Sequence, residues 1–150
     1  MQVQMEAKSS VFLAEHSVAT VSTVGPDGKV HGAAVYYIAL GEHDIYFVSK
    51  TRTTKILNIE QHPQVAFTVV DAPKAQTLQI SGHASEEADE NTRQLVFTSI
   101  VKPHPYSGEM LMPPVTALVG GEYIVIHIKP EEVRFSDYRQ EILDKRTGVA

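Results

Sequence analysis

The chain is 150 residues long, 43% hydrophobic and free of cysteine, with a formal net charge of -5. Such a length and apolar content suit one domain with its own core, residues 1–150, and the lack of cysteine excludes disulfides, thiolate metal sites and a cysteine nucleophile. The acidic balance argues against nucleic acid as a partner, and no apolar run reaches the roughly 18 residues of a membrane span, so no membrane is expected either.

Met1–Lys8 carries Glu6 and no apolar run before a small-residue cleavage site, which argues against a secretory signal and, with the missing cysteine, for the cytoplasm. Met5–His16 places Met5, Val11, Phe12 and Ala14 at roughly helical spacing. From Val18 the period changes. Val18–Val24 is rich in β-branched residues and stops at Gly25-Pro-Asp-Gly28, a strong turn signal. Val30–Leu40 resumes as a strand, so the two runs read as a β-hairpin. Gly41–Asp44 is a second turn and Ile45–Ser49 a third strand.

Thr51–Gln61 follows as a helix with Ile56, Leu57 and Ile59 close to one face, ended by His62-Pro63, because proline disfavours helical geometry in the residue before it. Val65–Val70 is another β-branched run, broken by Asp71-Ala-Pro73. Thr77–Ala84 alternates in the manner of a half-buried strand. Glu86–Val101 reads as a helix opening on acidic residues that suit its dipole. Lys102–Pro114 is rich in proline and is expected to be irregular, with Met110 and Met112 filling gaps in a core or interface. Glu122–Ile128 and Glu132–Ser136 close the chain as two strands. Six to seven strands and three helices, joined by short turns, predict an α+β fold with an antiparallel sheet closed into a barrel. A parallel doubly wound sheet would need a helix between most strand pairs.

The segment with the most chemistry is Lys50-Thr-Arg-Thr-Thr-Lys55, between a strand and a helix. Three hydroxyls (Thr51, Thr53, Thr54) and three cations (Lys50, Arg52, Lys55) at a helix start suit a phosphate monoester, since the first amides of a helix lack internal partners. The residues alone equally allow Thr53 to cap the helix while the cations are solvated. The seven histidines are scattered without a metal-ligand spacing, so no metal site is expected, and His31 and His127 fall in strands. Gly25, Gly28, Gly120 and Gly121 are turn glycines outside any P-loop or dinucleotide fingerprint. Ser9 and Ser10 have no nucleophile elbow around them. No catalytic residue is assigned.

Pro26-Asp-Gly-Lys29 after a strand, Gly32-Ala-Ala-Val-Tyr-Tyr37, Ile45-Tyr-Phe-Val-Ser49, the Thr53-Thr54-Lys55 loop, Asn58 through His62-Pro63-Gln-Val65, and Thr77-Leu-Gln-Ile-Ser-Gly82 stand in a telling order. In order and spacing, Ala19–Glu87 resembles the pyridoxamine 5′-phosphate oxidase-like, FMN-binding split-barrel superfamily. His127-Ile-Lys-Pro-Glu-Glu-Val-Arg-Phe135 is similar to that family's final strand. The resemblance implies a six-to-seven-stranded split β-barrel with a few flanking helices, forming a homodimer with FMN at the subunit interface. It puts Thr53, Thr54 and Lys55 on the phosphate with Arg52 as a helper, and Val48 and Ser49 beside the ribityl chain and ring. Ala33, Ala34, Val35 and Tyr36 would meet the isoalloxazine, and Thr77 or Gln79 would hydrogen-bond from a neighbouring strand.

The function so implied is an FMN-dependent oxidoreductase acting on a small molecule, the flavin carrying the electron transfer. The family's pyridoxamine phosphate oxidases have arginines near Ala33 and Thr54, a tryptophan after the last strand and an arginine–x–histidine–x–arginine-like motif. Here both positions are uncharged, tryptophan is absent and Phe135-Ser-Asp-Tyr138 runs out through Asp144-Lys-Arg146, so oxidation of vitamin B6 is not expected. The alternatives are a split barrel that binds the deazaflavin F420 or haem, with His16, His31 or His127 as axial candidates, and a non-enzymatic flavin-binding module.

Overall fold

Six strands pair in one closed circuit, every pair antiparallel. The structure is a computed structural model that describes residues 5–41, 44–100, 104–106, 109–111 and 123–139. Its barrel strands are β1 (Val18–Val24), β2 (Val30–Leu40), β3 (Asp44–Lys50), β4 (Gln64–Asp71), β5 (Gln76–Glu86) and β8 (Tyr123–Asp137), closed in the order β1-β2-β3-β8-β5-β4. Two short strands, β6 (His104–Tyr106) and β7 (Glu109–Leu111), pair outside the barrel. The helices are α1 (Ala7–Glu15), α2 (Thr54–Gln61) and α3 (Glu90–Ile100). The fold is therefore the expected α+β barrel.

Period-2 alternation decides what each strand buries. Ala19, Val21 and Thr23 on β1 point inward with Val35, Tyr37, Phe47, Phe67 and Ile80, and the core they form is almost wholly removed from solvent. The β1–β2 turn closes through a Gly28 amide donated to the Gly25 carbonyl, with Gly28 at φ 80°, which glycine adopts without strain. α2 lies at the end of the barrel where β1 and β3 finish, plugging it with Ile56 and Ile59. There the buried Asn58 donates to Thr23 Oγ1 at 3.0 Å. α1 closes the opposite end with Phe12 and Leu13; Phe12 meets Phe135 edge-on, and the Tyr37 hydroxyl donates to the Leu13 carbonyl at 2.7 Å. α3 covers the outer face of β2, β3 and β8, packing Val96 and Ile100 on Tyr46, Val48 and Val125.

Several expected boundaries change, among them the start of α2, which is Thr54 rather than Thr51 because the chain turns at Arg52, φ 63°. Glu122–Ile128 and Glu132–Ser136 are one strand, because Pro130 sits at a bulge: Ser81 faces Glu132 while Gly82 faces Pro130, leaving Glu131 as the extra residue. The ladder thus passes a residue with no N–H. α3 starts at Glu90 rather than Glu86, since β5 runs on to Glu86 and the Asp89 carboxylate takes the Thr92 amide and hydroxyl at 2.9 and 2.7 Å, as an N-cap does. The expected irregular stretch Lys102–Pro114 contains the β6–β7 hairpin. Met112, Gly120, Gly121 and Asp144–Arg146 lie outside the described residues, as does the side chain of Met110. Among the described residues no helix is long and apolar enough to cross a membrane.

Candidate functional site

β3 leads into α2 through a tight corner, and the corner is built around two hydroxyls. Ser49, buried at the end of β3, and Thr53, at the N-cap of α2, lie 3.2 Å apart. Both hydroxyls reach the Lys50 carbonyl oxygen, at 3.0 and 3.4 Å. Between them Arg52 takes φ 63°, a left-handed conformation that costs a non-glycine residue energy. Because Thr53 turns back toward Ser49, it makes no side-chain cap, and the first amides of α2 stay without one. The alternative in which Thr53 simply caps the helix is thereby corrected.

Electrostatics adds to the geometry. Lys50 and Arg52 are exposed, whereas Lys55 is half-buried, and burial pushes its ammonium below the ordinary lysine range. Among the described residues Lys55 has neither an ion pair nor a hydrogen bond. A partly desolvated cation in the first turn of a helix whose amides have no side-chain cap is chemically disposed toward an anion.

The other expected residues divide by strand face. On β2, Ala33 and Val35 point into the barrel opposite Val21 and Ala19, so only their backbone is open to a ligand; Ala34 and Tyr36 point outward. Val48 points outward but is covered by α3. Thr77 and Gln79 lie on the outer face of β5, opposite Val70 and Thr68 of β4. From β2 to β5 through β1 and β4 is three strand spacings, about 14 Å. One copy of the chain therefore brings Ala34, Ser49 and Arg52–Lys55 to one side of the barrel and leaves Thr77 and Gln79 on another. The Thr77 hydroxyl oxygen is buried and has no hydrogen-bond partner among the described residues.

Between these groups the outer face is uncharged. Thr20 and Ser22 on β1 stand beside Ala34 and Gly32 on β2 and beside Thr68 and Ala66 on β4, and no outward position of these strands carries a charge. Val18, Val30 and Val70 are 46, 79 and 60% exposed along the same strands. Further round, a cleft of about 360 Å3 is lined by Thr68, Gln79, Ser81, Glu132 and Arg134. Arg134 stands directly opposite Gln79 across the β5–β8 ladder. The sequence reading did not single out Arg134; strand alternation alone does not reveal which distant strand it faces.

Two histidines are engaged by carboxylates. His16 places Nδ1 2.7 Å from the Phe12 carbonyl oxygen and Nε2 2.9 Å from Asp71 Oδ2, and that bond holds the Asp71 carboxyl below its usual range, aided by the Lys74 amide. His127 places Nε2 2.8 Å from Asp44 Oδ1 and stacks on Tyr46. Burial, then the charges of Asp44 and Glu87, raises the Tyr46 hydroxyl. His31 is half-buried on β2 opposite Thr23. Among the described residues no three His, Asp or Glu side chains converge as a metal site would need.

A family model described as pyridoxamine 5′-phosphate oxidase matches residues 5–137. Among solved structures, a provisionally named pyridoxamine 5′-phosphate oxidase from Listeria innocua is 25% identical, with a TM-score of 0.69 over 85% of this chain and 94% of that one. A protein named F420 reductase is 21% identical, TM-score 0.62, over 87% of this chain and 98% of that one. HutZ, the haem storage protein of Vibrio cholerae, is 17% identical, TM-score 0.64, over 90% of this chain and 95% of that one. The last two likenesses concern the fold alone. No curated protein matches the chain.

Proposed function

The chain belongs to the pyridoxamine 5′-phosphate oxidase family, and on that premise we propose that it is an FMN-binding flavoprotein, a homodimeric oxidoreductase acting on a small molecule. The observation that carries this reading is Lys55, a desolvated cation without a counter-charge among the described residues, set at the uncapped start of α2. The residues fit the group: Lys55 and the α2 amides would take the phosphate, Thr53 and Thr54 would add hydroxyls, and Arg52 would assist from the strained corner. Ser49 and the backbone beside Ala34 would border the ribityl chain. Bound FMN supplies hydride and single-electron chemistry, while the protein fixes its position and surroundings.

Two features of the outer face support dimerisation. An uncharged antiparallel surface with exposed valines is what self-association covers, and a two-fold partner would bring its own Thr77 and Gln79 toward the first subunit's Ala34 and Tyr36. The proposed site is completed by both copies.

The first test is the absorption spectrum of the purified protein, followed by fluorescence titration with FMN. A flavin spectrum or submicromolar quenching supports the reading; a colourless protein that leaves FMN fluorescence unchanged sinks it. F420 and haem, named for the two structural relatives above, are tested in the same way. Haem ligation by His16 or His127 would break a bond to a carboxylate, and a Soret band on adding haem would overturn the flavin assignment.

A further inference from the structure

A cleft of about 220 Å3 lies at the barrel end closed by α1, away from the Thr53–Lys55 corner. β2 forms its floor from Tyr36 to Ala39, and the ends of α1 and α3 form its walls with Ala14 and Ser99. Tyr36 is the point of continuity: it faces outward two residues beyond Ala34, about 7 Å along the strand. Tyr36 thus belongs both to the stretch expected at the isoalloxazine and to the lining of the cleft.

The lining is notable for its charge. Among the described residues that line the cleft there is no Lys, Arg, Asp or Glu. Its one imidazole, His16, already has both ring nitrogens engaged, by the Phe12 carbonyl and by Asp71. The Tyr37 hydroxyl is spent on the Leu13 carbonyl. What remains for a ligand is apolar surface and the hydroxyls of Ser17 and Ser99. A charged molecule entering here would lose its hydration without gaining a counter-charge, which is costly. In volume the cleft exceeds the roughly 150 Å3 that accommodates benzene and falls short of the roughly 300 Å3 of an ordinary drug-sized pocket.

We propose that the cleft between α1, β2 and α3 is the substrate pocket of the flavin site and takes an uncharged, single-ring aromatic molecule. This rests on the cofactor reading given above, because Tyr36 is shared between ring and cleft. It also separates this chain from a phosphorylated substrate, for which no cation lines the cleft among the described residues.

Three probes of one size distinguish the charge classes: benzamide, benzoate and benzylamine. Each is titrated by calorimetry into the protein as purified, with and without added FMN. Benzamide is expected to bind at least tenfold more tightly than either ion. Ala14→Phe, at an exposed helix position outside the cofactor grip, fills the cleft and should abolish benzamide binding while leaving FMN retention unchanged. Ser99→Leu fills it from the opposite wall and should do the same if Ala14→Phe unfolds α1. Equal binding of all three probes, or benzamide binding that survives the filling variants, overturns the proposal. Selective benzamide binding by a protein that does not retain FMN supports the neutral-ring cleft and refutes the cofactor reading instead.

Discussion

Replacing Lys55 with methionine separates binding from stability in a way that a merely structural lysine would not. Methionine keeps an unbranched apolar stem of similar reach and a good helix propensity, so α2 should form as before. What is lost is an ammonium that burial already disfavours and that has no partner among the described residues. The folded chain releases the Lys55 proton at a lower pH than the unfolded chain does. Stability therefore rises with pH between those two values, and below the lower one the charge is a full burden on the fold. At neutral pH Lys55→Met should leave the melting temperature unchanged or raise it. FMN binding should move the other way. A charge-assisted hydrogen bond contributes about 1.5–3 kcal/mol, which at about 1.4 kcal/mol per decade is a 10- to 150-fold rise in Kd. Fluorescence quenching gives the Kd and differential scanning fluorimetry the melting temperature. A pH series adds an internal check, because the phosphate is dianionic above about pH 6. Weakening of wild-type affinity at alkaline pH then reports Lys55, and the methionine variant should be flat there. A Kd within twofold of wild type, or a melting temperature that falls, refutes the assignment of Lys55 as the phosphate's cation.

Four further outcomes are expected. Gly82→Ala would set a Cβ 2.5 Å from the Lys129 carbonyl oxygen, backbone that cannot swing aside, so urea denaturation should show a loss of about 3 kcal/mol. Asn58→Ala strands the buried Thr23 hydroxyl and should cost about 1–3 kcal/mol by the same measurement; an unchanged midpoint would mean the bond has no net value. Asp71 is held below its usual range by His16 and then by the Lys74 amide, so its contribution is present above the ordinary carboxylate value and is lost as pH falls through the folded one. Asp71→Asn should accordingly flatten the acid limb of the melting-temperature profile, and a limb identical to wild type would reject the pairing. Thr20→Glu puts a charge on the uncharged outer face and should convert a dimer into a monomer in sedimentation velocity, with loss of FMN; a wild-type protein already monomeric would refute the interface.

Much of the secondary structure was legible because it depends on neighbours in sequence. The boundaries Val18–Val24 and Val30–Leu40 were read as the structure has them, since β-branched alternation and a Gly-Pro-Asp-Gly turn are local signals. Pro130 misled for a local reason too. It reads as a strand break, yet the bulge opposite Gly82 carries the ladder past it. The start of α3 moved because the β5–β8 pairing, a distant interaction, draws Ala84–Glu86 into the sheet.

The site divides along the same line. In the Ser49–Lys55 corner, composition alone identified hydroxyls and cations at a helix start, and it left open whether Thr53 caps α2. Only the folded corner decided that, by turning Thr53 onto Ser49 and leaving Lys55 half-buried without a partner among the described residues. Likewise the run Ala33–Tyr36 was named as a unit, but strand pairing sends Ala33 and Val35 inward and Ala34 and Tyr36 outward. Sequence by itself determined most of the elements and the chemistry available at the β3–α2 corner, because each is set by residues within a few positions of one another. The tertiary structure alone decided which faces meet, that Arg134 stands across from Gln79 and that Lys55 is half-buried, because closing β1 onto β4 and β8 onto both β3 and β5 fixes registers between distant segments, and a slip of one residue would turn every side chain to the other face.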